Sequence, residues 1–164
     1  MDEKCRILVV DDENTTTQMI SSTLDDEFEI LTARNGAEAI QRCRESAPDL
    51  VLMDVMMPEM DGYEACRDIK ADSRFTDLPV IFLTSADKPE NEMRGLAAGG
   101  IDYLTKPVNL VLLRMRVRNH IDAKKKNDLV KQQRDLLTAK NNELEEALAR
   151  INRLEGIIPI CMYC

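Results

Sequence analysis

Four short stretches hold side chains able to handle a phosphate or a cation: the acid pair Asp11-Asp12, the single Asp54, Thr84, and Lys106 followed by Pro107. If the chain gathers them, three carboxylates share one partly buried place and repel one another strongly. Such a cluster needs a cation. A hard divalent ion suits it, and Mg2+ does so while keeping waters and accepting a phosphoryl oxygen. The expected ligands are Asp12 directly, Asp11 through water, Asp54, and the backbone C=O of Met56. Phosphoryl transfer asks a protein for an in-line nucleophile, a metal on the equatorial oxygens and donors for the remaining charge. An aspartate is a recognised covalent phosphate acceptor. Asp54 is the expected nucleophile, with Thr84 donating a hydrogen bond to one phosphoryl oxygen and Lys106 pairing with another.

Each stretch follows a short apolar run, and the runs alternate with amphipathic ones. Cys5 to Val10, Phe28 to Ala33, Leu50 to Met53, Pro79 to Leu83 and Ile101 to Leu104 read as five buried strands. Between them, Thr15 to Leu24, Gly36 to Glu45, Gly62 to Lys70 and Glu90 to Ala98 place apolar residues at helical spacing. Strands without polar alternation, separated by helices, predict βαβ units and a doubly wound, five-stranded parallel sheet, flavodoxin-like. In such sheets ligands sit beyond the carboxyl ends of the strands. Asp11, Asp12, Asp54, Thr84 and Lys106 all stand there.

The 164 residues suit one domain with chain left over. The formal charge of −8 is an average of unlike parts: residues 1–107 hold 11 Lys/Arg and 23 Asp/Glu, and residues 108–164 hold 11 and 7. An acidic body with few aromatic rings predicts no nucleic-acid binding. No run approaches a membrane span, so no membrane association is expected. Five cysteines, three of them inside apolar patterns, suit reduced thiols and a cytoplasmic protein.

From Leu110 to Leu154 there is neither Pro nor Gly, which predicts one long helix. Val130, Leu137, Leu144 and Ile151 recur every seven residues. With these as d positions, the a positions are Asn127, Arg134, Asn141 and Leu148. That thin seam with polar a sites is the pattern of a two-stranded coiled coil. The expected division is therefore a globular domain over 1–120, a coiled-coil helix over 121–155 that makes a homodimer, and a tail over 156–164. The tail ends in Cys161-Met162-Tyr163-Cys164, half of a tetrahedral zinc site; the favoured account is a chain that ends inside a larger element. His120 and the basic stretch from Lys124 to Lys126 are expected on a solvated helix face.

The strings Val9-Val10-Asp11-Asp12-Glu13, Leu52-Met53-Asp54-Val55-Met56-Met57-Pro58, Leu83-Thr84-Ser85-Ala86 and Asp102-Tyr103-Leu104-Thr105-Lys106-Pro107 occur in this order. Over roughly residues 4–120 the sequence resembles the receiver domain of bacterial two-component response regulators. The resemblance implies a histidine kinase or phosphotransfer protein as the donor to Asp54 and a cis Lys106–Pro107 peptide. It also implies a switch in which Thr84 moves toward the phosphate and Tyr103 turns inward. It implies no enzyme beyond the domain's own phosphorylation and dephosphorylation. Met56 and Ala86 flank the phosphate in that family, and neither can orient an attacking water by hydrogen bonding, which predicts slow loss of the phosphoryl group.

Three other readings compete. An aspartyl phosphatase would carry a second acid two residues after its nucleophile, where Met56 stands. A transcription factor would need a recognition helix. The third makes the chain the receiver part of a hybrid kinase, second-messenger enzyme or transcription regulator whose output domain lies elsewhere.

Overall fold

The computed structural model describes residues 3–85 and 89–155. Its elements are β1 (Arg6–Val10), α1 (Asn14–Leu24), β2 (Glu29–Ala33), α2 (Gly36–Ser46), β3 (Leu50–Asp54), α3 (Gly62–Ala71), β4 (Val80–Thr84), α4 (Pro89–Ala97), β5 (Asp102–Thr105) and α5 (Leu110–Glu155). The five strands pair in parallel in the order β2-β1-β3-β4-β5. This is the doubly wound sheet expected from the sequence. The sheet changes direction of winding at β1, whose neighbours are β2 and β3, and in open sheets of this kind ligands bind beyond the strand ends at that point.

Alternation along each central strand feeds two cores. Leu8 and Val10, Val51 and Met53, and Val80 and Phe82 point to one face, where they meet Ala39 and Cys43 of α2 and Cys66 and Ile69 of α3. Ile7 and Val9, Leu50 and Leu52, and Ile81 and Leu83 point to the other, against Ile20 and Leu24 of α1 and Leu113, Val117 and Ile121 of α5. Both faces of β1, β3 and β4 are covered, so these strands can be apolar throughout. Local signals start the helices: Asn35 caps α2 by accepting from Glu38 N, and Asp61 caps α3 by accepting from Glu64 N. Phe28, expected at the head of the second strand, instead closes α1 by donating its N–H to Leu24 O.

The chain divides into two units, Met1–Lys124 and Lys125–Cys164. In the second unit α5 continues to Glu155, with Val130, Leu137, Leu144, Leu148 and Ile151 exposed. The Cys161/Cys164 pair lies outside the described residues. Among the described residues no helix is long and apolar enough to cross a membrane.

Candidate functional site

The carboxyl ends of β1, β3, β4 and β5 form one rim. Asp11 follows β1 and Lys106 follows β5, while Asp54 and Thr84 are the last residues of β3 and β4. Ladder bonds fix their relative heights: Val55 N donates to Leu83 O at 3.1 Å, and Lys106 N to Thr84 O at 2.7 Å. Strand pairing alone therefore brings together residues far apart in the chain. Asp11, Asp54 and Thr84 are buried, and Asp12 is exposed at the rim.

One carboxylate oxygen from each of Asp11, Asp12 and Asp54 lies within 4.8 Å of the others. Facing them, Lys106 Nζ donates to Asp11 Oδ2 at 2.8 Å and stands 3.3 Å from Asp54 Oδ1. The N–H of Met56 donates to that same Oδ1 at 3.2 Å, and the N–H of Glu13 to Asp11 Oδ1 at 2.9 Å. Gly62 is required beneath Asp54, since a Cβ there would lie 2.3 Å from Asp54 O. The Lys106–Pro107 peptide is cis. Met56 has its side chain largely in solvent and offers only its backbone to the site. Tyr103 is 37% exposed on β5.

The electrostatics are short of positive charge. Burial first, and then the charge of Asp11, push the Asp54 carboxyl up to about 6, against the pull of Lys106 and of the Met56 N–H. Burial lowers the Lys106 ammonium, but its bonds to Asp11 and Asp54 outweigh this and hold it above its ordinary value. One ammonium does not balance three carboxylates. A hard divalent cation fits this donor set: it takes oxygen ligands and would offset the burial and the repulsion that raise the Asp54 carboxyl.

The receiver-domain model of response regulators matches residues 7–118, a span that runs from the second residue of β1 past β5 and includes the whole rim. The chain belongs to the response regulator receiver family. Receiver domains bind Mg2+ through acidic residues of the kind gathered here, and they work with histidine kinases or phosphotransfer proteins. The receiver is 40% identical over 134 residues to a probable cyclic di-GMP phosphodiesterase of Vibrio cholerae serotype O1, spanning 82% of this chain and 30% of that protein. It is 36% identical over 156 residues to the response regulator PleD of Caulobacter vibrioides, spanning 94% and 34%. The chain thus covers about a third of the length of these two relatives. Among solved structures it is similar to the chemotaxis protein CheY4 of Vibrio cholerae, with a TM-score of 0.68 and 32% identity over 71% of this chain and 98% of that one.

Sequence reasoning missed a second polar cluster. Asp102, at the head of β5, accepts Arg116 Nη1 on both oxygens, at 3.0 and 2.8 Å, and lies 2.9 Å from His120 Nε2. His120, expected on a solvated face, is half-buried in that contact. Burial works against the Asp102 carboxylate, but bonds to His120, the Tyr103 N–H and Arg116 hold it below its ordinary range. On the other side of α5, Arg114 and Arg118 pair with Glu27, and Lys124 pairs with Asp49 at 3.5 Å. The only sequence signal for these was an excess of arginine at alternate positions on a helix otherwise read as solvated.

Proposed function

We propose that this receiver accepts a phosphoryl group on Asp54 from a histidine kinase or phosphotransfer protein and relays the change through β5 into α5. The observation that carries the reading is the rim itself: three carboxylates within 4.8 Å opposed by one lysine that reaches two of them. Asp11, Asp12, Asp54 and the Met56 carbonyl would hold Mg2+, which when bound neutralises the transferring phosphoryl oxygens. Lys106 and the Met56 N–H engage Asp54 Oδ1, so Oδ2 is the oxygen offered for attack. A P–O bond forms at Oδ2 as the P–N bond of the donor phosphoimidazole breaks, and the imidazole nitrogen keeps the electron pair. Thr84 then bonds one phosphoryl oxygen, and Lys106 exchanges Asp54 for another. Movement of Thr84 clears the way for Tyr103 to turn inward, with Lys106–Pro107 as the fixed end of the loop.

The chain is a switch and not a catalyst of outside reactions in this reading. It works in the cytoplasm as a homodimer paired through residues 121–155, with no nucleic-acid or membrane partner. The seven-residue spacing of exposed Val130, Leu137, Leu144 and Ile151 supports the pairing. A second reading, a receiver serving an output domain in a longer protein, is favoured by the two relatives of which it spans a third. The switch chemistry is the same in both.

Acetyl phosphate with Mg2+, applied to the wild type and to Asp54→Ala, tests the core of this. Intact mass should show one phosphoryl group on the wild type and none on the variant, with light scattering reporting a dimer. Phosphorylation of Asp54→Ala to the wild-type extent would overturn the assignment.

A further inference from the structure

The heptad stripe of α5 can be counted back from its apolar stretch. From Val130 the d positions step back through Ala123 to Arg116, and from Asn127 the a position before it is His120. Arg116 and His120 are the two residues that Asp102 holds. The head of the stripe is thus where the acid of β5 meets the helix, one residue before Tyr103.

The stripe is unequal along its length. Its later a and d positions are Leu137, Asn141, Leu144, Leu148 and Ile151, which suit a close partner helix. Its earlier ones are Arg116, His120, Ala123, Asn127, Val130 and Arg134, of which only Ala123 and Val130 are apolar. Flanking charges follow the same gradient. In a parallel pair Lys140 faces Glu145 of the second helix, an attraction, whereas Lys126 faces Lys131, a repulsion. Two copies brought together at the head would therefore face each other with arginine, histidine and lysine. Asp102, with its side chain 10% exposed, supplies the counter-charge there.

We propose that Asp102 governs whether the first heptads of the coil pair, while the heptads from Leu137 onward hold two copies of this chain together permanently. The inference rests on the homodimer reading above and adds where the switch acts. With Asp102 on Arg116 and His120, the cationic head is neutralised in each copy and pairing runs up to Ala123. A displacement of β5 that takes Asp102 off those side chains leaves the Arg116 guanidinium of each copy uncompensated, beside His120, to repel its counterpart across the seam. The first heptads then part, and the later ones stay closed.

Disulfide trapping at two d positions of the full chain tests this. Ala123→Cys and Leu137→Cys are made singly in a background carrying Cys161→Ser and Cys164→Ser. Both positions should crosslink in the otherwise wild-type chain. Adding Asp102→Asn, which keeps the side chain's shape, should cut crosslinking at 123 about five-fold and leave 137 unchanged. Adding Arg116→Gln and His120→Gln to that variant should restore crosslinking at 123, a rescue that mere damage to β5 would not allow. Crosslinking at 123 that ignores Asp102→Asn, or that the double glutamine change fails to restore, overturns the proposal with the dimer intact. No crosslink at 137 removes the dimer reading itself and this inference with it.

Discussion

The ammonium of Lys106 lies 2.8 Å from Asp11 Oδ2 and 3.3 Å from Asp54 Oδ1, so one side chain from the end of β5 bridges acids from the ends of β1 and β3. It occupies the place of a counter-ion and competes with any cation for the same oxygens. Lys106→Met removes that competitor while keeping much of the apolar stem. Mg2+ affinity should rise, measured by titration of a spectroscopic or calorimetric signal. In metal-free buffer near neutral pH the variant should lose roughly 2–3 kcal/mol of stability in urea, because Asp11 and Asp54 are left unpaired. Mg2+ should recover most of the loss. Weaker Mg2+ binding by the variant would show that Lys106 assists the cation and does not oppose it.

The upward push on Asp54 fixes the sign of a pH effect. Its folded-state pKa, about 6, lies above its ordinary value of 3.8. Between those two values the folded chain binds more protons than the unfolded one, so the group's contribution to stability falls as pH rises through this window. Above it, metal-free protein bears the full cost of an ionised Asp54. A cation that binds the ionised form offsets that cost. The gain in Tm on adding saturating Mg2+ should therefore be large near pH 7.5 and small near pH 5. Equal gains at the two pH values would contradict the raised pKa.

Backbone crowding beneath the acceptor gives a prediction independent of charge. A Cβ at residue 62 would lie 2.3 Å from Asp54 O and 3.0 Å from Asp54 C, and Gly62 N also donates to Val55 O at 2.9 Å. Neither group can yield without moving the end of β3. Gly62→Ala should cost on the order of 3 kcal/mol and slow phosphorylation by acetyl phosphate in the fraction that still folds. Wild-type stability in chemical denaturation would mean that the loop between β3 and α3 can relax.

The layered sheet and the site rim were legible in the sequence for one physical reason. β1, β3 and β4 are buried on both faces, so their apolar runs are unbroken, and a polar residue that ends such a run must sit at the strand's end. Asp11, Asp54 and Thr84 are those residues, Lys106 follows the shorter apolar run of β5, and parallel pairing does the rest. The pairs that fasten α5 were not legible. Arg114 and Arg118 reach Glu27, and His120 reaches Asp102, through contacts set by the packing of α5 on the sheet. Such pairs leave no period in the sequence, and on a helix wheel they look solvated. The start of β2 was misplaced for a similar reason: Phe28 has a strand former's side chain, but its N–H is taken by Leu24 in the turn that closes α1.

Met56 sets the expected lifetime of the phosphoryl group. It stands two residues after Asp54, contributes its backbone N–H to Asp54 Oδ1, and as a residue is 70% exposed. Hydrolysis needs a water oxygen placed in line with the phosphorus, and the P–O bond to Asp54 then breaks to return the carboxylate. A thioether gives that water no useful hydrogen bond. The phosphoryl group should therefore persist for minutes or longer, followed by decay of a radiolabel or of intact mass. Met56→Asn adds a donor and an acceptor at an exposed position, with no core contact to lose and the backbone N–H unchanged. Its phosphoryl half-life should be shorter by several-fold, with the same yield at early times and the same stability. A wild-type half-life of seconds, or no acceleration in Met56→Asn, would place control of the attacking water elsewhere on the rim.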